Sequence, residues 1–349
     1  MSFNLKEFQK DLAYHKVYDA WQFIESLREM ISYMELSYQL LVNVYNNRVD
    51  SLKALESKVL QERLETGFAS IAENDLHCTH LKIAGLTVND SIFLCKTTLE
   101  FFHYARVSMD ILFQIINAAL FGDKAFSISD KKLISKVNKK LGTVPSFYKL
   151  KKLLDENRKN NTFLYLQAFD NYIKHIKTIL VSIKNSFLLG SNNEFLIRDF
   201  VYDHKSYPPV SVLEKVKEVN DYVQQKVLEI LSEVKEQLPN CLDNKQRIQN
   251  IAFKQVVNKN PNGLNYISFF IDVQNDLSEL PKEIKVFPLI VKPSGDIYSF
   301  DFRFDKIFIR KKGSKAHILG CAELKNGLNT NEFYRIYKVH PCGIEEYQN

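Results

Sequence analysis

Cysteine is scarce in this sequence, and long apolar runs are missing from it. The five cysteines are odd in number and widely spaced, which argues against a disulfide framework and fits a reducing compartment. No stretch approaches the roughly 20 uncharged apolar residues of a membrane-spanning helix. The first residues also lack the apolar core of a signal peptide. We therefore expect a cytoplasmic protein with no membrane segment.

Glycine and proline are almost absent from the first part of the chain. The first glycine is Gly67 and the first proline is Pro145. A stretch that long without helix breakers, rich in Leu, Glu, Lys and Gln, favours long helices. Apolar residues at helical spacing predict helices over residues 18–71, 89–121, 146–157, 164–189 and 212–238. Ser211 is a suitable N-cap for the last of these helices, and Pro239 ends it.

The character of the sequence changes after about residue 247. Six of the eleven glycines and five of the nine prolines lie beyond position 250. Runs of β-favouring residues there predict strands over residues 266–273, 285–291, 297–309, 316–323 and 333–339. The sequence therefore predicts an α+β protein, with an all-α bundle of long helices over residues 1–245 and a small antiparallel β-rich domain over residues 246–349.

The charge balance excludes little. There are 47 Lys and Arg residues against 41 Asp and Glu, a net charge of +6. This mild basicity permits an anionic partner such as RNA, but many proteins without such a partner share it. The sequence contains no Gly-X-Ser-X-Gly elbow, no dinucleotide-binding fingerprint and no paired-carboxylate signature, so it does not point to those enzyme classes.

One polar segment, residues 194–209, stands between two predicted long helices. It contains Arg198, followed by Asp199, and His204 six residues after the arginine. On an ideal helix the two side chains would lie about 120° apart, so they converge only where the helix bends or frays, as Pro208-Pro209 permits. A histidine can transfer protons near neutral pH, and an arginine can stabilise charge growing on a phosphate. This pair suits metal-independent cleavage of RNA by its own 2′-hydroxyl.

Arg198-Asp199 and His204 resemble the signature of the HEPN superfamily. That signature is an arginine, commonly followed by a polar residue, with a histidine four to six residues later, on the last-but-one helix of a helical bundle. The resemblance covers roughly the first 240 residues, but its specific content is three residues. It implies a homodimer in which two copies of the motif form one composite ribonuclease site, and a role in prokaryotic antiviral defence or in a toxin system.

The same segment has a purely structural alternative. Arg198 and His204 are common residues, and a pair at this spacing occurs by chance in many proteins. Arg198 would then form an ion pair with Asp203 or Glu194 on the surface, and His204 would be a loop residue.

A polar stripe crosses the apolar helix predicted over residues 89–121. His103, Arg106, Asp110, Gln114 and Asn117 follow each other at spacings of three and four residues, which places them on one face. The simpler interpretation is a narrow solvated face with an Arg106–Asp110 pair at i,i+4. The alternative is that Arg106 and Asp110 line the Arg198/His204 site.

Two further candidates carry weaker signals. His77, Cys78 and His80 form a sparse group of metal ligands, with His340 and Cys342 far away in sequence, which makes a poor zinc site. The basic turn at residues 310–315 follows an aromatic run at residues 298–304. Such a combination can bind single-stranded RNA, but more often the aromatics are core residues and the charges are solvated.

The sequence thus leads to two hypotheses. The first is an endoribonuclease of RNA that needs no metal or other cofactor. In it His204 is the general acid–base, Arg198 stabilises the phosphate, Asp199 orients one of them, and Tyr202, Lys205, Arg106 and Asp110 contact the substrate. The rival is a non-catalytic interaction or sensor protein that oligomerises through its bundle and binds a protein or nucleic-acid partner with its β domain.

Overall fold

The structure is a computed structural model of the whole chain. It describes residues 4–14, 17–71, 80–177, 181–184, 193–241, 252–259, 265–273, 282–286, 289–291, 297–299, 306–311, 318–324 and 335–341. These residues form two compact units. One comprises residues 1–25, 113–140 and 234–349, and the other comprises residues 26–112 and 141–233. The domain boundary expected near residue 245 stays a prediction, because residues 242–250 lie outside the described ranges.

Seven α-helices are present in the described residues. Their bounds are α1 Leu5–Tyr14, α2 Tyr18–Thr66, α3 Asp90–Phe121, α4 Leu133–Leu141, α5 Tyr148–Lys159, α6 Asn161–His175 and α7 Val212–Gln237. Glycines with positive φ follow two of them, Gly67 after α2 and Gly122 after α3, as the sequence predicts. The Ser211 hydroxyl accepts a hydrogen bond from the Glu214 N–H at 3.4 Å, which confirms the predicted cap of α7. Helix α4 was not predicted.

The prediction that the first 240 residues are all helical is wrong. In the described part of that range the structure has seven short strands: β1 His80–Ile83, β2 Leu86–Asn89, β3 Val181–Lys184, β4 Glu194–Ile197, β5 Phe200–Tyr202, β6 Lys205–Tyr207 and β7 Val210–Ser211. Strands β1 and β2 form a hairpin, and β3, β4 and β7 form a three-stranded sheet in that order.

The helix predicted over residues 164–189 is also shorter than expected, since α6 ends at His175 and β3 begins at Val181. The alternation of Val181 and Ile183 with Ser182 and Lys184 suits a strand that pairs with β4.

The C-terminal strands confirm the α+β class. They are β8 Ala252–Lys259, β9 Asn265–Val273, β10 Glu283–Val286, β11 Leu289–Val291, β12 Ile297–Ser299, β13 Lys306–Lys311, β14 Ile318–Leu324 and β15 Arg335–His340. Six of them form one sheet in the order β10-β15-β14-β13-β9-β8, and β11 pairs with β12. The sheet is not wholly antiparallel, because β13 runs parallel to β9. No helix in the described part of the chain is both long and apolar enough to cross a membrane.

Helix α6 carries the aromatic core that positions the candidate site. Phe102 of α3 lies 4.4 Å, centroid to centroid, from Phe169 of α6, and both are fully buried. The buried valines Val216, Val219, Val223 and Val227 of α7 add an aliphatic stripe to the same unit. These contacts hold α3 and α6 side by side, so polar residues on their facing edges are brought within reach of each other.

Candidate functional site

The segment that contains Arg198 and His204 is a β-hairpin, not a helix. Ile197 pairs with Val210 and Phe200 pairs with Tyr207, so β4–β5 and β6–β7 follow one continuous register. In that register Arg198 lies across from Pro209 and Asp199 from Pro208. Proline has no N–H to donate to a ladder, which explains why pairing stops at these two positions. The helical placement that the HEPN resemblance implies is therefore corrected for this segment.

The hairpin turns at Asp203 and His204. Both have positive φ, 48° and 60°, as a two-residue turn with matching twist requires. Asp and His are among the residues that tolerate this left-handed conformation better than β-branched residues do. Both side chains are exposed. His204 is thus held at the tip of a short ladder by backbone geometry, and a local turn replaces the frayed helix end that the sequence suggested.

The aromatic pair Phe200 and Tyr207 attaches the hairpin to α6. Their rings stack at 4.6 Å, and Phe200 lies 5.3 Å from Tyr172. Tyr207 lies 5.6 Å from Tyr165, edge to face. Phe200 and Tyr207 are buried, whereas Val201 between them is 60% exposed. One face of the hairpin therefore packs on α6 and the other faces solvent.

The backbone positions of Arg198 and His204 lie far apart along the hairpin. Tyr202, the last residue of β5, is four positions after Arg198, which at roughly 3.3 Å per residue is about 13 Å. His204 lies beyond that point, in the turn. Arg198 and Asp199 are exposed, and Tyr202 is half-buried. The exposed Lys205 places its ammonium 5.3 Å above the Tyr207 ring.

The ion pairs expected under the structural alternative are not formed either. Among the residues that the structure describes, Arg198 makes no ion pair with Asp203 or Glu194. Glu194 instead lies 3.7 Å from the ammonium of Lys184, across the β3–β4 ladder.

A second group of polar side chains lies where α3 faces α6. It consists of His103, Arg106 and Asp110 on α3 with Asp170 and Lys174 on α6, and is called the α3–α6 cluster below. The imidazole Nδ1 of His103 lies 3.6 Å from one carboxylate oxygen of Asp170. The Lys174 ammonium donates to the other oxygen at 2.7 Å.

Within the same cluster, Arg106 and Asp110 form the predicted i,i+4 pair, with a distance of 3.0 Å between Nη2 and Oδ1. The predicted Arg106–Asp110 ion pair is therefore confirmed.

Burial varies sharply within the α3–α6 cluster. The Asp170 side chain is 2% exposed, while that of His103 is 46% exposed. The Arg106 guanidinium lies 5.4 Å from the centre of the Phe163 ring. Its Nη1 and the Oδ1 of Asp170 are buried without a hydrogen-bond partner among the described residues. Unsatisfied buried polar atoms are costly, so these two mark a place where a polar ligand or water would be stabilised.

Burial also shifts a carboxyl group of this cluster. It raises the pKa of Asp110 above its ordinary value, and the Arg106 guanidinium beside it opposes that rise. The negative charge of Asp170 raises the pKa further, and Lys174 lowers it. Two carboxylates and two permanent cations therefore share one small region, which is typical of functional sites but also occurs in structural ion-pair networks.

The arrangement of His103 and Asp170 suits proton transfer. A buried carboxylate that faces one imidazole nitrogen orients the ring. The separation of 3.6 Å is slightly beyond a hydrogen bond, as is common for catalytic pairs in unliganded proteins. The half-exposed ring can therefore reach solvent with its other nitrogen.

Sequence analysis found three of the five members of this cluster. The stripe on α3 was predicted, whereas Asp170 and Lys174 were missed. Their signal was a charged pair at i,i+4 within the otherwise apolar and aromatic α6. The last member of the stripe is structural, since the Asn117 side-chain amide bonds both the N–H and the C=O of Phe126.

The weaker candidates gain no support. His77, Cys78 and Cys342 lie outside the described residues. In the described part of the chain, no three His, Cys, Asp or Glu side chains are grouped to hold a metal ion. His340 lies 3.5 Å from Glu323. Arg310 is buried, at 7% exposure, whereas residues 312–315 of the basic turn and most of the aromatic run before it lie outside the described ranges.

Comparison with known proteins identifies one domain family. Residues 249–342 match a domain of unknown function, DUF8310. The match covers strands β8 to β15 and leaves both the hairpin and the α3–α6 cluster outside it. No curated protein and no solved structure matches the chain.

Proposed function

We propose that this chain is a metal-independent endoribonuclease. The observation that supports the proposal most is the half-exposed His103 imidazole, held 3.6 Å from the buried Asp170 carboxylate with the cation Lys174 on the same carboxylate. A histidine oriented in this way provides acid–base chemistry. The neighbouring cations provide attraction for an anionic substrate.

The chemistry would proceed through the substrate's own nucleophile. His103 takes the proton from a ribose 2′-hydroxyl, and the oxygen attacks the adjacent phosphorus. The bond from phosphorus to the 5′ oxygen breaks, and that oxygen leaves with a proton that the solvent or the imidazolium returns. The products are a 2′,3′-cyclic phosphate and a 5′-hydroxyl. The ammonium of Lys174 stabilises the charge that grows on the phosphate oxygens.

The residues of the hairpin enter this proposal as a second, composite site. The backbone positions of Arg198 and His204 are about 13 Å or more apart along one hairpin, so we propose that a second copy supplies one of the two residues to each phosphate. In such a homodimer His204 would be the acid–base and Arg198 the phosphate stabiliser. Asp199 would orient one of them, and Tyr202 and Lys205 would contact RNA. The α3–α6 cluster has its acid–base pair in one chain and needs no partner.

One experiment on the purified full-length protein distinguishes the two candidate catalytic sites. Labelled single-stranded RNA and DNA of the same sequence are incubated with wild type, His103→Asn and His204→Gly in EDTA. We expect the wild type to cut RNA only, leaving a 2′,3′-cyclic phosphate, because DNA lacks the nucleophile. Loss of the acid–base histidine should lower the rate by about two to four powers of ten. His103→Asn should show this loss, and His204→Gly should not.

Other outcomes are equally informative. Loss only in His204→Gly, with recovery of cleavage on mixing His204→Gly with Arg198→Ala chains, would move catalysis to the composite hairpin site. Cleavage that requires Mg²⁺ or Mn²⁺, or that persists in the double variant of His103 and His204, would exclude the mechanism.

A non-catalytic interaction protein is the second candidate. It is favoured by one observation, the exposed outer face of the hairpin, where Val201 is 60% exposed between exposed polar residues. Under this proposal the exposed Val201 side chain is the apolar centre of the contact with a protein partner. Replacement of Val201 by Glu should then abolish co-purification of a partner while leaving the circular dichroism spectrum unchanged.

A further inference from the structure

A dense group of positive charges lies on α4 and the loop before it. Residues 124–141 contain six lysines and one aspartate, a net charge of +5, when the whole chain has +6. Helix α4 contains three lysines and no carboxylate, and Lys132 directly precedes it. Its apolar residues Leu133, Val137 and Leu141 are buried. The exposed side of α4 is therefore entirely cationic or neutral.

The lysines of this surface outnumber the one carboxylate that pairs with them. Lys132, Lys136 and Lys140 follow each other at spacings of four residues, where like charges destabilise a helix. The one nearby carboxylate, Asp130, bonds the Lys136 ammonium and the Lys132 N–H. Lys131, Lys132 and Lys139 are exposed and make no ion pair with any residue that the structure describes. An external anion would relieve this repulsion.

Lys140, which is half-buried, also lies close to another lysine. Its ammonium bonds the Lys124 carbonyl oxygen and lies 4.4 Å and 5.0 Å from the centres of the Phe121 and Phe126 rings. Partial burial, and then the positive charge of Lys124, lower the pKa of Lys140 below its ordinary value. Lys124 and Lys140 thus bring a second group of cations close to the exposed row on α4.

We propose that the exposed lysine row of α4, Lys132, Lys136 and Lys139, binds the phosphate backbone of single-stranded RNA. From Lys132 to Lys139 the helix rises about 10 Å, at 1.5 Å per residue. Lysine side chains are long and flexible, so the three ammonium groups can spread beyond this length and each contact one phosphate of a single strand. This deepens the proposed ribonuclease function, on which the choice of RNA rests, by naming where the substrate's backbone is held.

An anionic membrane is a poorer partner for this surface. Helices that bind membranes insert an apolar face between the lipids. The apolar face of α4 is already buried in the protein, and no large apolar side chain between residues 93 and 147 is exposed. The surface offers charge without an apolar residue that could enter the bilayer.

The test measures binding separately from cleavage. The ligand is a fluorescein-labelled 2′-O-methyl oligouridylate, which keeps the phosphates but lacks the 2′-hydroxyl nucleophile. Fluorescence anisotropy gives the Kd of the full-length chain over a range of salt concentrations. Neutralising one phosphate of a single strand contributes about 0.7 to the slope of log affinity against log salt. The triple variant Lys132→Gln, Lys136→Gln, Lys139→Gln should therefore have a slope smaller by about 2.

The matched control removes three lysines that have carboxylate partners on their own helices. These are Lys151, paired with Asp155, Lys152, paired with Glu156, and Lys226, paired with Glu229. Both triple variants lose the same net charge, but the control should keep the wild-type slope. The triple Lys→Arg variant at positions 132, 136 and 139 should also keep it, since the charge remains. Circular dichroism verifies that every variant is folded.

Several results would overturn this proposal. These are equal losses in the two glutamine variants, an unchanged slope in the α4 variant, or no RNA binding by wild type. Sedimentation with phosphatidylserine vesicles that depends on the α4 lysines, without RNA binding, would assign the surface to membranes. If binding depends on α4 but no RNA is cut under any condition, the surface stands and the ribonuclease proposal fails.

Discussion

Phe200 and Tyr207 lie directly across the β5–β6 ladder from each other, with their rings stacked at 4.6 Å. Because both rings pack toward α6, the intervening Val201 and Ser206 face outward. The orientation of the whole Arg198–Lys205 segment thus follows from one cross-strand aromatic pair. Separate variants can therefore test the packing of the hairpin on α6 and the conformation of its turn.

We expect the packing of the hairpin on α6 to depend on Phe200. Replacing this buried side chain by alanine leaves a cavity among Tyr165, Phe169 and Tyr172, so Phe200→Ala should destabilise the protein by about 3 kcal/mol. The neighbouring Val201→Ala is the control and should change stability by less than about 0.5 kcal/mol, since Val201 is exposed. Urea denaturation followed by circular dichroism measures both, and equal effects would show that the hairpin does not pack as described.

The tip should prefer glycine to alanine at position 204. His204 has a φ of 60°, a conformation that costs an ordinary L-residue about 1 kcal/mol and glycine almost nothing. His204→Gly should therefore be more stable than His204→Ala by about 1 kcal/mol in thermal or urea unfolding. This is why the activity assay uses glycine at this position, since it removes the imidazole without straining the turn. If alanine proved the more stable replacement, the turn would have another conformation.

The Arg48–Asp90 pair between α2 and the start of α3 should behave as a buried ion pair. The two side chains are 10% and 3% exposed. Arg48→Met leaves the Asp90 carboxylate buried without this cation, which should cost about 3–5 kcal/mol. The double variant Arg48→Met, Asp90→Asn removes the stranded charge and should be more stable than Arg48→Met alone. Denaturation of the single and double variants gives the comparison, and additive losses would contradict strong coupling.

Asp110 gives a prediction about pH. Burial raises its pKa in the folded state, against the effect of Arg106, so the folded protein holds this proton more tightly than the unfolded chain does. The resulting stabilisation is complete below the ordinary pKa of aspartate and is lost as the pH rises through the raised value. The stability of wild type minus that of Asp110→Asn should therefore fall as the pH increases from acid to neutral. A difference that grows with pH would show that the ion pair with Arg106 outweighs burial.

Asp110 also tests whether the α3–α6 cluster is functional or structural. If it lines the site, Asp110→Ala should reduce RNA cleavage with little change in thermal stability. A loss of about 1 kcal/mol or more, with activity per folded molecule intact, would identify the Arg106–Asp110 pair as structural. Cleavage rates normalised to the folded fraction distinguish the two cases.

The long helices could be predicted because their ends are marked in the sequence. Gly67, Gly122 and Pro239 end or follow α2, α3 and α7, and Ser211 caps α7. Helix α4 was missed although Leu133, Val137 and Leu141 recur at helical spacing and Gly142 follows it, because nine residues show this pattern over little more than two turns. Most strands beyond residue 250 were predicted from their β-branched and aromatic runs, but β8 was missed, and the predicted strands 285–291 and 297–309 are each two strands. The parallel pairing of β13 with β9 could not be predicted, because it joins segments far apart in sequence.

The hairpin was missed because its apolar pattern changes partway along. Phe195 and Ile197 are buried at a spacing of two, which is typical of a strand, whereas Phe200 follows after three residues, which is a helical spacing. The apolar pattern therefore does not indicate a strand over the whole segment. The prolines opposite Arg198 and Asp199 interrupt the ladder at that point. In the α3–α6 cluster, the Arg106–Asp110 pair follows from local spacing. The approach of His103 to Asp170 depends on how two helices pack, which no local pattern encodes.

The left-handed backbone at position 204 has a consequence for the history of this sequence. Core packing places no demand on the exposed tip, and the turn geometry alone would be served best by glycine or asparagine. Substitution of His204 should therefore be neutral for the fold, and we expect other residues at this position in related sequences. If related sequences instead retain His204 while Lys205 and Ser206 vary, selection acts on the imidazole itself, because the fold gives no reason to keep it.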